Sequence, residues 1–152
     1  MIQRIQTIYL LLAAIVTGIF TFMSMATLYT QGAPIQFSGT GFYEAGSNEA
    51  IAYVWPLTIV CALAALLPLL NIFLYRNRPL QIRVCHFTTL MLLAVYATFG
   101  IYVYNMSMTL QAESIQWGAA LSMPFVALIL NIIAQSRIRA DERLVRSADR
   151  LR

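Results

Sequence analysis

Residues 51–79 read IAYVWPLTIVCALAALLPLLNIFLYRNRP: 25 uncharged, mostly apolar residues followed by a short basic segment. An α-helix rises 1.5 Å per residue, so about 20 apolar residues are enough to cross a hydrocarbon layer roughly 30 Å thick. Pro79 cannot supply the amide hydrogen that a continuing helix requires, and it directly follows Arg76, Asn77 and Arg78. The stretch therefore predicts a transmembrane helix that ends in a tight, basic turn.

Three further apolar stretches of similar length lie along the chain, and together the four predict transmembrane helices near residues 5–29, 51–75, 82–105 and 115–136. The composition agrees, because 152 residues that are 60% hydrophobic and 11% charged, with a mean hydropathy of +0.71, are unlike a soluble domain. The sequence predicts an all-α membrane protein: a four-transmembrane-helix bundle over residues 1–136, with a cytoplasmic, amphipathic, basic tail at 137–152.

The ten positively charged residues are all arginines, and all fall on one side of this pattern. The loops at 31–50 and 105–114 contain none, whereas cytoplasmic loops usually carry an excess of arginine and lysine. Both termini and the loop between the second and third helices are therefore predicted to be cytoplasmic. The basic charge is explained by topology, so no nucleic-acid partner is expected.

The loop at residues 31–50 is the largest segment predicted outside the membrane on the other side. Ile35-Gln36-Phe37 and Phe42-Tyr43 flank a Gly-Thr-Gly turn, which is typical of a short β-hairpin. Trp55 and Trp117 lie near the outer starts of their predicted helices, where they would join an aromatic belt at the membrane surface.

A layer of polar side chains is predicted near the cytoplasmic face. Each member lies within six residues of an arginine that marks the cytoplasmic end of its helix: Asn71, His86, Asn131 and Gln135. One interpretation is a binding site for a lipid headgroup or a small polar ligand. The other is hydrogen bonding between helices, worth about 0.6–2 kcal/mol for each group in a membrane.

The sequence offers no group of residues that commits it to a reaction. His86 is the only histidine, and Cys61 lies at another depth, so neither a metal ion nor a haem would find two strong ligands. Ser24 and Ser122 are also too far from His86 along the membrane normal for a hydrogen-bonded pair. No catalytic residue, metal or cofactor is predicted, and the chain is expected not to be an enzyme.

The segment 137–152 is predicted to continue the fourth helix beyond the membrane, with an apolar stripe on one side. Its six arginines favour an anionic lipid surface, whereas its three acidic residues favour a protein partner, and the sequence leaves both open. Together with the basic turn it forms the predicted docking or lipid face: Arg76, Arg78, Arg83, Arg139, Arg143, Leu144, Arg146 and Leu151.

The opening MIQRIQTIYLLLA (residues 1–13) and the closing DERLVRSADRLR (residues 141–152) resemble a family of small four-helix inner-membrane proteins from Bacteroidota. That family is catalogued as a domain of unknown function. The resemblance covers the whole chain and implies a multi-pass protein of the bacterial inner, or cytoplasmic, membrane. It brings no activity, cofactor or catalytic residue.

The leading hypothesis is a non-enzymatic scaffold or accessory subunit that docks a partner through its cytoplasmic face, with membrane lipids around the bundle. It is based on the contrast between a bundle without reactive groups and a highly charged cytoplasmic face. The alternative is a small transporter or lipid-binding protein that uses the polar layer around Asn71, His86 and Asn131. The sequence gives no indication of the oligomeric state.

Overall fold

The computed structural model describes residues 3–46, 50–75 and 77–149. Four long helices alternate with short strands along the chain. The helices are α1 (Gln3–Phe22), α2 (Trp55–Phe73), α3 (Arg78–Thr109) and α4 (Met123–Asp149), with a short 3-10 helix at Ala119–Ser122. The strands are β1 (Ala26–Tyr29), β2 (Ile35–Phe37), β3 (Gly41–Glu44), β4 (Ala50–Tyr53) and β5 (Ser114–Trp117).

The four helices form a closed ring in which each packs against two neighbours: α1 against α2 and α4, and α3 against α2 and α4. Within the described residues, four helices are long and apolar enough to cross a membrane, as predicted. Their ends differ from the prediction, because α3 begins four residues earlier, at Arg78, and runs to Thr109. Pro79 therefore lies in the first turn of α3, where its missing amide hydrogen costs nothing.

The prediction of an all-α fold is wrong, because a five-stranded antiparallel sheet covers one end of the helix ring. Its strand order is β4-β3-β2-β1-β5. The predicted hairpin is confirmed as β2 and β3, in which Phe37 lies opposite Phe42. The sheet is completed by β1, which pairs with both β2 and β5.

Three strands occupy segments that were predicted to be helical. Residues 26–29, 51–53 and 115–117 were assigned to the ends of the first, second and fourth helices, but they belong to β1, β4 and β5. These segments continue the apolar runs of the helices, so hydrophobic length alone cannot separate strand from helix there. What decides their structure is strand pairing: β1 pairs with the distant β5, as in Tyr29 opposite Ser114, and β4 pairs with β3. The side chains of Tyr29 and Gln116 also hydrogen-bond at 2.8 Å.

Close packing joins the sheet to the ends of the helices. The Phe37 ring stacks on Phe42 from β3 and on Phe99 from α3, with ring centroids 4.2 and 5.3 Å apart. The amide of Gly39 donates to the backbone oxygen of Thr21 at 3.0 Å, and that of Gly118 donates to Met25 at 2.8 Å. This end of the ring is hereafter called the sheet end.

A second, smaller apolar cluster lies toward the opposite end of the ring, where Leu10, Cys85, Ala134 and Ile138 are buried together. The helix α4 passes this cluster without a break and continues to Asp149. The predicted tail is therefore the last part of α4 as far as Asp149.

Candidate functional site

The arginines are concentrated at the end of the ring away from the sheet, where α3 begins and α4 ends. Those with described side chains are Arg78, Arg83, Arg137, Arg139 and Arg143. The acidic residues Glu44 and Glu113 lie instead in β3 and beside β5. The end that contains these arginines is hereafter called the arginine end.

Asn71 is fully buried, and its side chain connects α2 to α3. Its amide nitrogen donates to the backbone oxygen of Gln81 at 3.2 Å and to the sulfur of Cys85 at 3.0 Å. The Gln81 side chain returns a bond to the backbone oxygen of Asn71, also at 3.2 Å. The amide nitrogens of both side chains thus donate to backbone oxygens across the contact between α2 and α3, in place of hydrogen bonds to water.

Asn131 makes the equivalent connection from α4, and it is also buried. Its amide nitrogen donates to the backbone oxygen of Cys85 at 2.8 Å and to the hydroxyl of Thr89 at 3.0 Å. The two asparagines thus approach Cys85 from neighbouring helices on either side of α3. Gln135 lies one turn further along α4, and its side chain is 3.5 Å from the backbone oxygen of Ile82.

Each asparagine leaves one polar atom without a partner. Among the described residues, no donor reaches the buried Oδ1 of Asn71 or that of Asn131. The amides cannot be turned over, because each Nδ2 faces a backbone oxygen that only accepts hydrogen bonds. Two acceptors of fixed orientation therefore remain in the buried layer, and an unsatisfied acceptor costs about 1–3 kcal/mol.

His86 lies away from the buried amides, on the exposed side of α3. Its Nε2 is 2.8 Å from the Nη2 of Arg139 on α4. A guanidinium only donates, so the imidazole nitrogen accepts in this contact. The structure therefore divides the predicted polar layer into a buried part around Cys85 and an exposed part at His86.

A third polar contact joins three helices at the arginine end. The Gln6 side chain on α1 donates to the carboxylate of Asp141 on α4. Arg78 on α3 donates to the backbone oxygen of Asp141 at 2.8 Å. Asp141 therefore helps to hold α4 against the ring, and the residue is not free to serve a docking surface.

The remaining predicted docking residues are placed as follows. Arg83 and Arg143 are exposed, and neither forms a hydrogen bond or ion pair with the part of the chain that the structure describes. Leu144 is 60% exposed. Arg76, Leu151 and the side chain of Arg146 lie outside the described residues.

Sequence inspection missed four participants in these contacts: Gln6, Gln81, Cys85 and Asp141. The sequence contained a signal for Gln81 and Cys85. Together with Thr89 they are spaced by four residues, so all three share one face of a helix. The contact between Gln6 and Asp141 had no such signal, since the two residues are 135 positions apart.

The described residues contain no group of three or more histidine, cysteine, aspartate or glutamate side chains that could hold a metal ion. The fold defines a class: a ring of four long apolar helices, closed at one end by a five-stranded sheet and basic at the other. The chain belongs to the family described as a domain of unknown function (DUF4293), whose model matches residues 2–151. No curated protein matches the chain.

Proposed function

We propose that the protein spans a bacterial inner membrane four times, with the arginine end in the cytoplasm, as the resemblance to proteins of Bacteroidota implies. In this proposal it is a non-enzymatic scaffold or accessory subunit. The segregation of charge supports the orientation, because arginines are retained on the cytoplasmic side of bacterial membranes. Lipid would then cover the many exposed apolar side chains of the four helices, such as Ile15, Leu66 and Leu93.

The observation that carries the docking proposal is the length of α4. Its 27 residues run from Met123 to Asp149 without interruption, and they extend over about 40 Å. From Arg139, at the proposed membrane surface, the helix continues for about 15 Å to Asp149, whereas the headgroup layer adds about 5–8 Å on each side. A straight helix of this length rises beyond the headgroups, which favours a protein partner over a lipid surface.

The chemistry of the partner follows from the exposed side chains of this extension. Leu144 and Val145 are exposed beside Arg143. An apolar pair next to a cation fits a partner with an apolar groove that has acidic residues at its rim, which is a common way to bind a helix. No reacting group is required for this role.

Purification of the native protein from membranes in mild detergent tests the proposal. The full chain is compared with a chain truncated after Glu142, which keeps the contacts of Asp141, and with the double variant Leu144→Ser, Val145→Ser. We expect a stoichiometric partner with the full chain, and its loss from both altered chains.

Ile51→Ser is the control, because Ile51 is an exposed apolar residue of similar size in β4, at the other end. The partner should remain bound to the Ile51→Ser variant. A partner that survives the truncation, or that is absent from the full chain, contradicts the docking role.

A second candidate is a small transporter or lipid-binding protein that uses Asn71 and Asn131. The observation in its favour is the pair of unpartnered Oδ1 atoms, since a buried acceptor is stabilised by any ligand that donates hydrogen bonds. An experimental density map tests it. Density larger than a water molecule within hydrogen-bond distance of either Oδ1 atom supports a ligand site, and only water or bare side chains at both atoms contradict it.

A further inference from the structure

Arg139 is held in place by an imidazole ring rather than by a carboxylate. Its Nη2 contacts His86 Nε2 at 2.8 Å across the groove between α3 and α4, and both side chains are exposed. Among the described residues, Arg139 forms no ion pair with a carboxylate. The ring therefore positions the guanidinium without supplying a negative charge.

A second cation lies on the same side of α3. Arg83 precedes His86 by three residues, so the two side chains leave the helix on one face. Arg83 is exposed, and none of the described residues gives it a hydrogen bond or an ion pair. Arg83 and Arg139, hereafter called the groove cations, thus offer several donors to an anion from outside the chain, and His86 accepts a hydrogen bond from one of them.

The helix surfaces that continue from the groove cations toward the sheet end are apolar. Phe87 and Leu90 follow Arg83 and His86 by four residues each, so each lies one turn further along the same face of α3. On α4, Ile132 lies two turns from Arg139 on the sheet side. All three apolar side chains are about half exposed, at 56%, 56% and 47%.

This order of groups matches a phospholipid, in which a charged phosphate is followed by hydrocarbon chains. We propose that the groove cations bind the phosphate of an anionic phospholipid of the cytoplasmic leaflet, with its acyl chains along Phe87, Leu90 and Ile132. Arginine binds phosphate through paired, charge-assisted hydrogen bonds, and basic pockets between transmembrane helices are known to hold lipid headgroups. The site rests on the proposed membrane orientation and is separate from the docking surface at Leu144.

The test uses the full chain purified in neutral detergent and measures lipid adducts by native mass spectrometry. The probes are phosphatidylglycerol, phosphatidylcholine of the same acyl chains, and glycerol phosphate without chains. We expect phosphatidylglycerol to bind more tightly than either of the others. Arg139→Gln should weaken its binding about fivefold, which is the effect of one cation near an anionic lipid surface.

Arg137→Gln is the matched control, because it removes the same charge from α4 two residues away and on another face of the helix. It should leave phosphatidylglycerol binding within about twofold of the unaltered chain. Arg83→Gln, on the other helix, should repeat the loss seen with Arg139→Gln, so the result does not depend on the folding of one variant.

Three results would overturn the site: equal losses from Arg137→Gln and Arg139→Gln, equal binding of phosphatidylcholine, or glycerol phosphate binding as tightly as the lipid. The last result would assign the groove cations to a soluble phosphate. Alkaline carbonate washing of membranes distinguishes failure of the lipid site from failure of the proposal that the protein spans the membrane. Retention in the membrane pellet supports the four-span placement, and release of the unaltered protein by carbonate overturns both.

Discussion

The sheet end and the arginine end of this protein differ in how the helix ring is closed. At the sheet end, aromatic rings and close backbone contacts fill the space, as where Phe37 lies between Phe42 and Phe99. At the arginine end, Arg83, Arg137, Arg139 and Arg143 find no carboxylate partner in the described part of the chain. One end is closed by the protein's own side chains, whereas the other presents exposed arginines that have no carboxylate partner among the described residues.

This difference predicts that the two ends contribute differently to stability. Burial of large apolar side chains contributes more to stability than exposed charges do. Substitutions at the sheet end should therefore affect folding, whereas substitutions of exposed arginines should affect binding. Substitutions at the two ends, from the largest expected change in the free energy of unfolding to the smallest, test that division.

The largest effect is expected from Phe37→Ala, which empties a fully buried site between two stacked rings. A loss of about 3–5 kcal/mol in the free energy of unfolding is typical of such a change. Equilibrium unfolding in detergent micelles measures it. Tyr53→Ala is the control, since Tyr53 is 64% exposed, and a loss as large as that of Phe37→Ala would contradict the packing account.

Gly118→Ala should have the next largest effect. A methyl group at Gly118 would lie 2.6 Å from the backbone oxygen of Ser24 and 3.0 Å from that of Met25, so the junction between β5 and α1 must shift. We expect a loss of about 1–3 kcal/mol, measured by the same unfolding titration.

Gly100→Ala provides the comparison, because nothing lies within 4 Å of the added atom and Gly100 is inside α3. It should leave stability unchanged or raise it by about 1 kcal/mol, since alanine favours helix more than glycine does. If Gly118→Ala and Gly100→Ala destabilise the protein equally, the nearby backbone oxygens of Ser24 and Met25 are not the cause of the loss at Gly118.

Asn131→Leu should lower stability by about 0.6–2 kcal/mol, because it removes the bonds from α4 to Cys85 and Thr89. Asn71→Leu should act similarly through Gln81. Thermal unfolding in detergent measures both variants. Gln135→Leu should cost less, since its hydrogen bond to the backbone oxygen of Ile82 is long, at 3.5 Å. An unchanged midpoint for both asparagine variants would show that the buried amides do not hold the helices together.

Arg143→Gln is expected to have the smallest effect on folding, within about 0.5 kcal/mol, because the side chain is exposed and unpaired among the described residues. Its effect should appear instead in retention of the proposed partner, measured by the same native purification. A loss of more than about 1 kcal/mol in stability would assign Arg143 to the fold rather than to docking.

Much of the helical part of the fold was predictable, because apolar runs of membrane-spanning length are a strong signal. The Gly-Thr-Gly turn between Phe37 and Phe42 likewise identified the central hairpin. The strands β1 and β5 were not predictable, because they pair with each other over a long sequence separation: the side chains of Tyr29 and Gln116, which hydrogen-bond across this pair, are 87 positions apart. Local hydrophobicity contains no information about that pairing.

The candidate polar residues were grouped by their distance from an arginine along the sequence, which does not determine the face of the helix. In the structure, Asn71 and Asn131 both contact Cys85. His86 was assigned to the same layer from its distance to Arg83, yet its side chain is on the exposed side of α3. The face of the helix on which a side chain lies depends on packing that one sequence does not reveal.

The central claim is that the arginine end is cytoplasmic and the sheet end is on the other side of a membrane. Labelling of single cysteines in spheroplasts with a membrane-impermeant maleimide tests it most directly, since the native Cys61 and Cys85 are buried and give little background. Gly32→Cys reports on the sheet end and Ala140→Cys on the arginine end, and both positions are exposed. We predict that Gly32→Cys is labelled in intact spheroplasts and Ala140→Cys only after permeabilisation; the reverse pattern, or equal labelling of both before permeabilisation, would contradict the account.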